Sequence, residues 1–173
     1  MLPQSLSDEF DFALALPAEI LALRVLGAAI LCGLIGLERA VRKNTAGVRT
    51  NMLIGVASVV FCIVTLELMH AYDQTDSVAQ MDPIRLVEAV TAGIAFLAAG
   101  VVVYTKGDVQ GLTTGASMWL SAAIGLSVGL GIWLLAIVAT MTGIVVLWLL
   151  RKVEVAAGIK EDSSSKQENG AAG

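Results

Sequence analysis

The sequence offers almost nothing with which to do covalent chemistry. Its single histidine, His70, has no Ser or Cys at a spacing that makes a nucleophile–base pair, and no His-Glu metal spacing is present. The two cysteines, Cys32 and Cys62, both fall inside apolar stretches and read as reduced packing residues rather than as a disulfide or a metal site. No catalytic, cofactor-binding or metal-binding residue is assigned, and the chain is read as not an enzyme and not a nucleic-acid binder. A cleavable signal peptide is also missing: the N-terminus begins acidic, without a basic n-region, and leads into a full-length apolar span. No lipidation motif is visible. Between Asp108 and Arg151 there is no charged residue at all.

What is present is apolar length. The chain is 57% hydrophobic, carries 17 glycines and has a mean hydropathy of +0.81. A hydrocarbon core of about 30 Å takes about 20 helical residues, and five stretches approach that length: Ile20–Leu37, Met52–Met69, Leu86–Tyr104, Leu112–Leu126 and Leu130–Leu150. One helix over Leu112–Leu150 would be about 58 Å long at 1.5 Å per residue, too long for one crossing. Gly125, Gly129 and Gly131 lie in its middle, so a tight helical hairpin is expected there. The expectation is an all-α membrane protein of about five transmembrane helices. It has an outer N-terminal segment over 1–19, a transmembrane domain over 20–152 and a polar tail over 153–173. That tail is too poor in bulky apolar residues to bury a core and is expected to be disordered.

Charge sets the expected orientation. In a five-span arrangement every Lys and Arg except Arg24 and Arg85 falls on one side, while Asp8, Glu9, Asp11, Asp73, Asp76 and Asp82 fall on the other. The positive-inside rule then puts the N-terminus outside and the C-terminus in the cytoplasm, with basic loops against anionic lipid. A single shift of the chain places Ala28 on Ala92, Ile30 on Ile94, Gly36 on Gly100, Gly47 on Gly111 and Thr50 on Thr114. Two readings stay open: chance matching of apolar sequence, and a parallel repeat of two helical hairpins with a fifth helix added. The same shift places Arg24 on Glu88, at equivalent depths where the two could pair.

Charged and polar residues near the bilayer are the candidates for function, because a charge well inside a span costs about 2.5–3.5 kcal/mol and usually faces the bundle or a wet cavity. Glu38 and Arg39 end the first span. Arg49, Thr50 and Asn51 open the second, where Thr50 or Asn51 is placed to cap. Asp82, Arg85 and Glu88 open the third, with Asp82 an N-cap candidate and Pro83 suited to the first helical position. Glu88 is expected to be neutralised by Arg24 or Arg85. Thr113, Thr114 and Trp119 mark the fourth span. Against these stands the bland reading: interfacial charges snorkel to water at little cost, and the small residues of Ala92–Gly100, with Gly33 and Gly36, serve intramolecular helix packing. Glu67, His70, Asp73 and Asp76 form a weaker candidate cation site; acidic loops commonly mean only solvation.

Three segments taken together, "CGLIGLERAVRKNTAGVRTNMLIGVAS", "DPIRLVEAVTAGIAFLAAGVVV" and "GDVQGLTTGASMWLSAAIGLSVGLG", resemble the MgtC/SapB family of bacterial inner-membrane proteins, in order and spacing, over about Leu23–Val146. Matching signature positions are Gly36, Glu38, Arg39, Gly47, Arg49 and Thr50; then Asp82, Pro83, Arg85, Gly93, Phe96, Leu97 and Gly100; then Gly111, Leu112, Thr113, Thr114 and Trp119. The resemblance implies a small helical domain of the bacterial inner membrane, connected with growth at low magnesium and acting on other membrane proteins, the F-type ATP synthase among them. Its implied partners are the lipid bilayer, other integral membrane proteins and a homo-oligomer; the best-known type is not regarded as a magnesium transporter. The expected function is a non-enzymatic modulator in magnesium or ion homeostasis, with a small cation transporter or channel as the alternative. Ala95 and Ala98 depart from the family's usual Gly, and Glu88 stands near a usual Gln. Longer members carry a soluble C-terminal domain where this chain has only its polar tail, so the short SapB-like type is the closer comparison.

Overall fold

The computed structural model describes residues 16–41, 46–73, 82, 84–105 and 108–156. Most of the N-terminal segment, the loop residues Arg42, Lys43 and Asp76, and the tail beyond Ala156 lie outside the described residues. Among the described residues five helices follow in order: α1 (Ala18–Val41), α2 (Val48–Asp73), α3 (Ile84–Val101), α4 (Leu112–Gly129) and α5 (Trp133–Ala156). The helical expectation holds, and α1, α2 and α3 are each long and apolar enough to cross a membrane. At 18 residues α4 spans about 27 Å at the helical rise.

Several helix ends differ from the expected spans, and two of the differences change what the residues form. The third helix stops at Val101, and Tyr104, expected at its end, lies in a short strand. Strands β1 (Val103–Thr105) and β2 (Asp108–Gln110) pair antiparallel, with Tyr104 opposite Val109. The run of β-branched valines before Tyr104 loses side-chain freedom in a helix and suits extended backbone. At the other end, α5 continues through Ala156, past Val153. One turn before its close, the Lys152 ammonium sits 4.1 Å from the Trp148 ring centroid, the arrangement of a basic residue reaching from an apolar surface toward water.

Packing is organised around α4, which touches all four other helices and buries most of its residues. Consecutive helices pair as α1 with α2 and α3 with α4, the pairing of two hairpins, and α5 lies against α4 and α1. The two halves are not equivalent in detail. A Cβ at Gly36 would come 2.6 Å from the Val48 Cα across the α1–α2 contact, whereas one at Gly100 would meet nothing within 4 Å. One core cluster joins Cys32, Ile35, Val59, Ile124, Val128 and Ala136; a smaller one joins Ala46, Ile54, Ile94, Met118 and Ala122.

The hairpin between α4 and α5 forms as expected, but only one of its three glycines makes the turn. Gly131 adopts φ 79°, its N–H donates to the Val128 carbonyl at 2.9 Å, and the Ile132 N–H donates to the Ser127 carbonyl at 2.8 Å. That is the paired bonding of a helix end closed by a left-handed residue. Gly125 and Gly129 lie within α4 and face α2 instead. A Cβ at Gly131 would also come 2.9 Å from Arg24 Nη2. Gly131→Val should therefore cost more stability than Gly131→Asn, because Asn tolerates the left-handed conformation. Thermal unfolding of the two variants in detergent checks that order.

Candidate functional site

Four polar side chains of α4 stand on its buried face: Thr114, Ser117, Ser121 and Ser127. Lipid cannot satisfy a hydroxyl, so each must find its partner within the bundle. Ser117 donates to the Thr114 carbonyl at 2.8 Å and Ser127 to the Ala123 carbonyl at 2.8 Å. Ser121 reaches across to α2 and donates to Asn51 Oδ1 at 2.8 Å. The Ser121 carbonyl accepts from Cys32 Sγ at 3.3 Å, which brings in α1.

Asn51 is the hinge of this arrangement and is 0% exposed. Its Nδ2 donates to the Gly47 carbonyl at 2.9 Å and, more weakly, to the Ala46 carbonyl at 3.4 Å. The expected capping role is thus reversed. Asn51 lies one turn inside α2, so its side chain does not accept from orphan amides; it donates to carbonyls that precede the helix. Toward the same end of the bundle, Arg39 is 4% exposed and its Nη2 donates to Thr114 Oγ1 at 3.0 Å. Glu38 is half-buried beside it in sequence. Arg39, Thr114, Ser117, Asn51, Ser121 and Cys32 form one polar seam through the meeting of α1, α2 and α4.

The structure therefore brings together Arg39, Asn51 and Thr114 from the residues singled out in the sequence. Thr50 is half-buried, while Arg49 and Thr113 are exposed at the helix starts. Trp119 is exposed and makes only a long 3.5 Å contact from Nε1 to the Thr91 carbonyl, between α4 and α3. Asp82, Arg85 and Glu88 are all exposed at the start of α3. Asp82 does cap that helix, its Oδ1 accepting from the Ile84 N–H at 2.9 Å. Ser117 and Ser121 escaped the sequence reading; the available signal was Thr114, Ser117 and Ser121 recurring at helical spacing in an otherwise apolar span.

At the opposite end of the bundle Arg24, one of the two partners expected for Glu88 beside Arg85, is engaged with a helix end instead. Arg24 Nη1 donates to the Gly129 carbonyl at 2.6 Å. The last carbonyls of α4 have no partner within the helix and carry the negative end of its dipole, which attracts the guanidinium. Glu67, from the weaker candidate cation site, accepts the Leu16 N–H at 3.2 Å. The Asp73 side chain and Asp76 lie outside the described residues, and among the described residues no group of three or more His, Cys, Asp or Glu converges on a metal position.

The family model described as the MgtC family matches residues 25–156. A protein named "Protein MgtC" in Brucella abortus is 38% identical over 125 residues, covering 72% of this chain and 49% of its own length. An uncharacterised Haemophilus influenzae protein is 38% identical over 127 residues, covering 73% of this chain and 53% of its own. The Escherichia coli K12 protein named "Putative magnesium transporter YhiD" is 41% identical over 103 residues, 60% of this chain and 47% of that one. The chain thus spans about half the length of the curated relatives it matches. No solved structure matches it.

Proposed function

The chain belongs to the MgtC family as an integral membrane protein of the bacterial type, and from that premise we propose that it is a non-enzymatic modulator in magnesium homeostasis. It acts through helix contacts with other integral membrane proteins or with a second copy of itself. The N-terminus faces outward and the basic loops face the cytoplasm, as the positive-inside rule directs.

The observation that carries this reading is Phe96. It belongs to the second of the family-like segments, yet it is 81% exposed on α3. A motif residue with no packing work inside the chain is available for work outside it. The polar seam supports the same reading from the other direction. Its side chains spend their hydrogen bonds on one another and on carbonyls, tying α1, α2 and α4 into a scaffold that presents α3. A relative's name mentions magnesium transport, and the seam is where a conduction path would have to open.

The two functions separate in proteoliposomes holding only this protein. The modulator reading expects Mg²⁺ flux no greater than in empty vesicles, whereas flux above that level, abolished by Ser121→Ala in protein that remains folded, would establish transport instead. Phe96→Ala is expected to leave the unfolding stability in detergent within about 0.5 kcal/mol of the parent, as for an exposed substitution. It should nonetheless lose growth at limiting magnesium and co-purification with the membrane partner. Unchanged growth and co-purification would remove Phe96 as the contact.

A further inference from the structure

Helix α3 packs along α4 but barely touches α2. Between α2 and α3 lies a groove of about 1150 Å³, somewhat above the range of about 300–1,000 Å³ typical of small-ligand sites. Its walls are apolar along most of their length, with Phe61 and Val64 from α2 and Ile94 and Leu97 from α3. Gly93 opens the α3 wall further, since a Cβ there would meet nothing within 4 Å. Among the described residues, the only charged ones on the wall are Asp82 and Arg85, at the start of α3. From Arg85 to Leu97 the groove runs about 18 Å at the helical rise, close to the depth of one leaflet of a hydrocarbon core of about 30 Å.

The groove is therefore amphipathic on the scale of one lipid, with both signs of charge at its mouth. We propose that it binds a single zwitterionic phospholipid with a primary-amine headgroup, of the phosphatidylethanolamine type. The acyl chains lie between α2 and α3, the phosphate accepts from the Arg85 guanidinium, and the ammonium donates to the Asp82 carboxylate. Asp82 spends one oxygen on the Ile84 N–H, and a carboxylate has further acceptor capacity. Charge complementarity selects this headgroup over its alternatives. An anionic glycerol headgroup would satisfy Arg85 but offer Asp82 only neutral hydroxyls, with no positive charge to balance the carboxylate. A choline headgroup carries no N–H to donate. Both side chains are exposed, so they meet the headgroup at the interface without being carried into the apolar core. The site does not depend on the modulator reading, which rests on Phe96, outside this groove.

Native mass spectrometry of the full chain, released from nanodiscs of mixed phosphatidylethanolamine, phosphatidylglycerol and phosphatidylcholine, tests the proposal. The expected result is one retained lipid per chain, with phosphatidylethanolamine favoured. Arg85→Gln should lower that retention roughly tenfold, the effect of one charge-assisted hydrogen bond. Gly93→Leu fills the groove where space is open and should abolish the adduct with the thermal midpoint unchanged. Equal retention of the three lipids by the parent, or retention indifferent to Arg85→Gln, overturns the proposal whether or not Gly93→Leu folds. A lipid-free dimer that Gly93→Leu dissociates also overturns it and gives the groove to a second copy of the chain.

Discussion

Gly125→Val is expected to abolish the folded protein, and Gly125→Ala to destabilise it severely. A Cβ at position 125 would lie 2.5 Å from the Gly55 carbonyl oxygen, 2.8 Å from Ser58 Cβ and 3.1 Å from the Gly55 carbonyl carbon. Two of those three atoms are backbone, which cannot rotate away, so α2 and α4 must separate. Separation is expensive because Gly129 continues the same contact one turn later, where a Cβ would come 2.6 Å from Cys62 Cβ. Between apolar helices in lipid, dispersion at close approach is the main attraction, and a wedge at one turn loosens its neighbours as well. Overpacking of a well-filled site typically costs about 1–3 kcal/mol; Gly125→Ala should sit at the top of that range and Gly125→Val beyond it. Gly93→Ala is the control. Nothing lies within 4 Å of its Cβ position, so it should be neutral or gain up to about 1 kcal/mol from helix propensity. Thermal unfolding in detergent, read by size-exclusion of the surviving fraction, compares the three. Equal midpoints for Gly125→Ala and Gly93→Ala would mean that α2 and α4 do not meet at these glycines.

The same glycines show where the sequence was legible and where it was not. Charges marked where α1, α2 and α3 stop, because a charge in hydrocarbon is expensive, but no charge separates α4 from α5. The glycine-rich middle of the Leu112–Leu150 stretch announced a hairpin, and the hairpin is there. Sequence alone could not assign its glycines to turn or contact: Gly131 is distinguished by a positive φ, whereas Gly125 and Gly129 are distinguished by α2, far away in the chain. Arg24 was legible as a residue needing a partner but not in its choice of one. Carboxylates are visible in a sequence as acceptors; the free carbonyls at the end of α4 belong to every residue and appear only once the helix is seen to stop. The strand after Val101 was hidden for a different reason. Its residues are apolar enough to prolong a span, and only their branching argued otherwise. Among the candidate residues, those that converge are Arg39, Asn51 and Thr114, while the polar group at the start of α3 stays at the surface.

Asn51→Leu is expected to be the most damaging change within the seam, and much more so than Ser121→Ala, although the two residues share one hydrogen bond. Interhelical hydrogen bonds in membrane proteins average about 0.6 kcal/mol, so Ser121→Ala, which leaves Asn51 its bonds to the Gly47 and Ala46 carbonyls, should cost about that much. Asn51→Leu removes three contacts together. Ser121 can turn its hydroxyl back onto its own helix, as Ser58 does toward the Ile54 carbonyl and Thr140 toward the Ala136 carbonyl. Among the described residues the Ala46 carbonyl has Asn51 as its side-chain donor. Ala46 and Asn51 are both buried, and a buried polar group stripped of its partner costs about 1–3 kcal/mol. With the branched side chain forced into a site shaped for a planar amide, the total should reach about 2–3 kcal/mol. The double variant Asn51→Leu/Ser121→Ala should cost little more than Asn51→Leu alone, because the hydroxyl has already lost its cross-helix acceptor. Additive costs in that cycle, measured by thermal unfolding in detergent, would show that the Ser121–Asn51 bond does not couple α4 to α2.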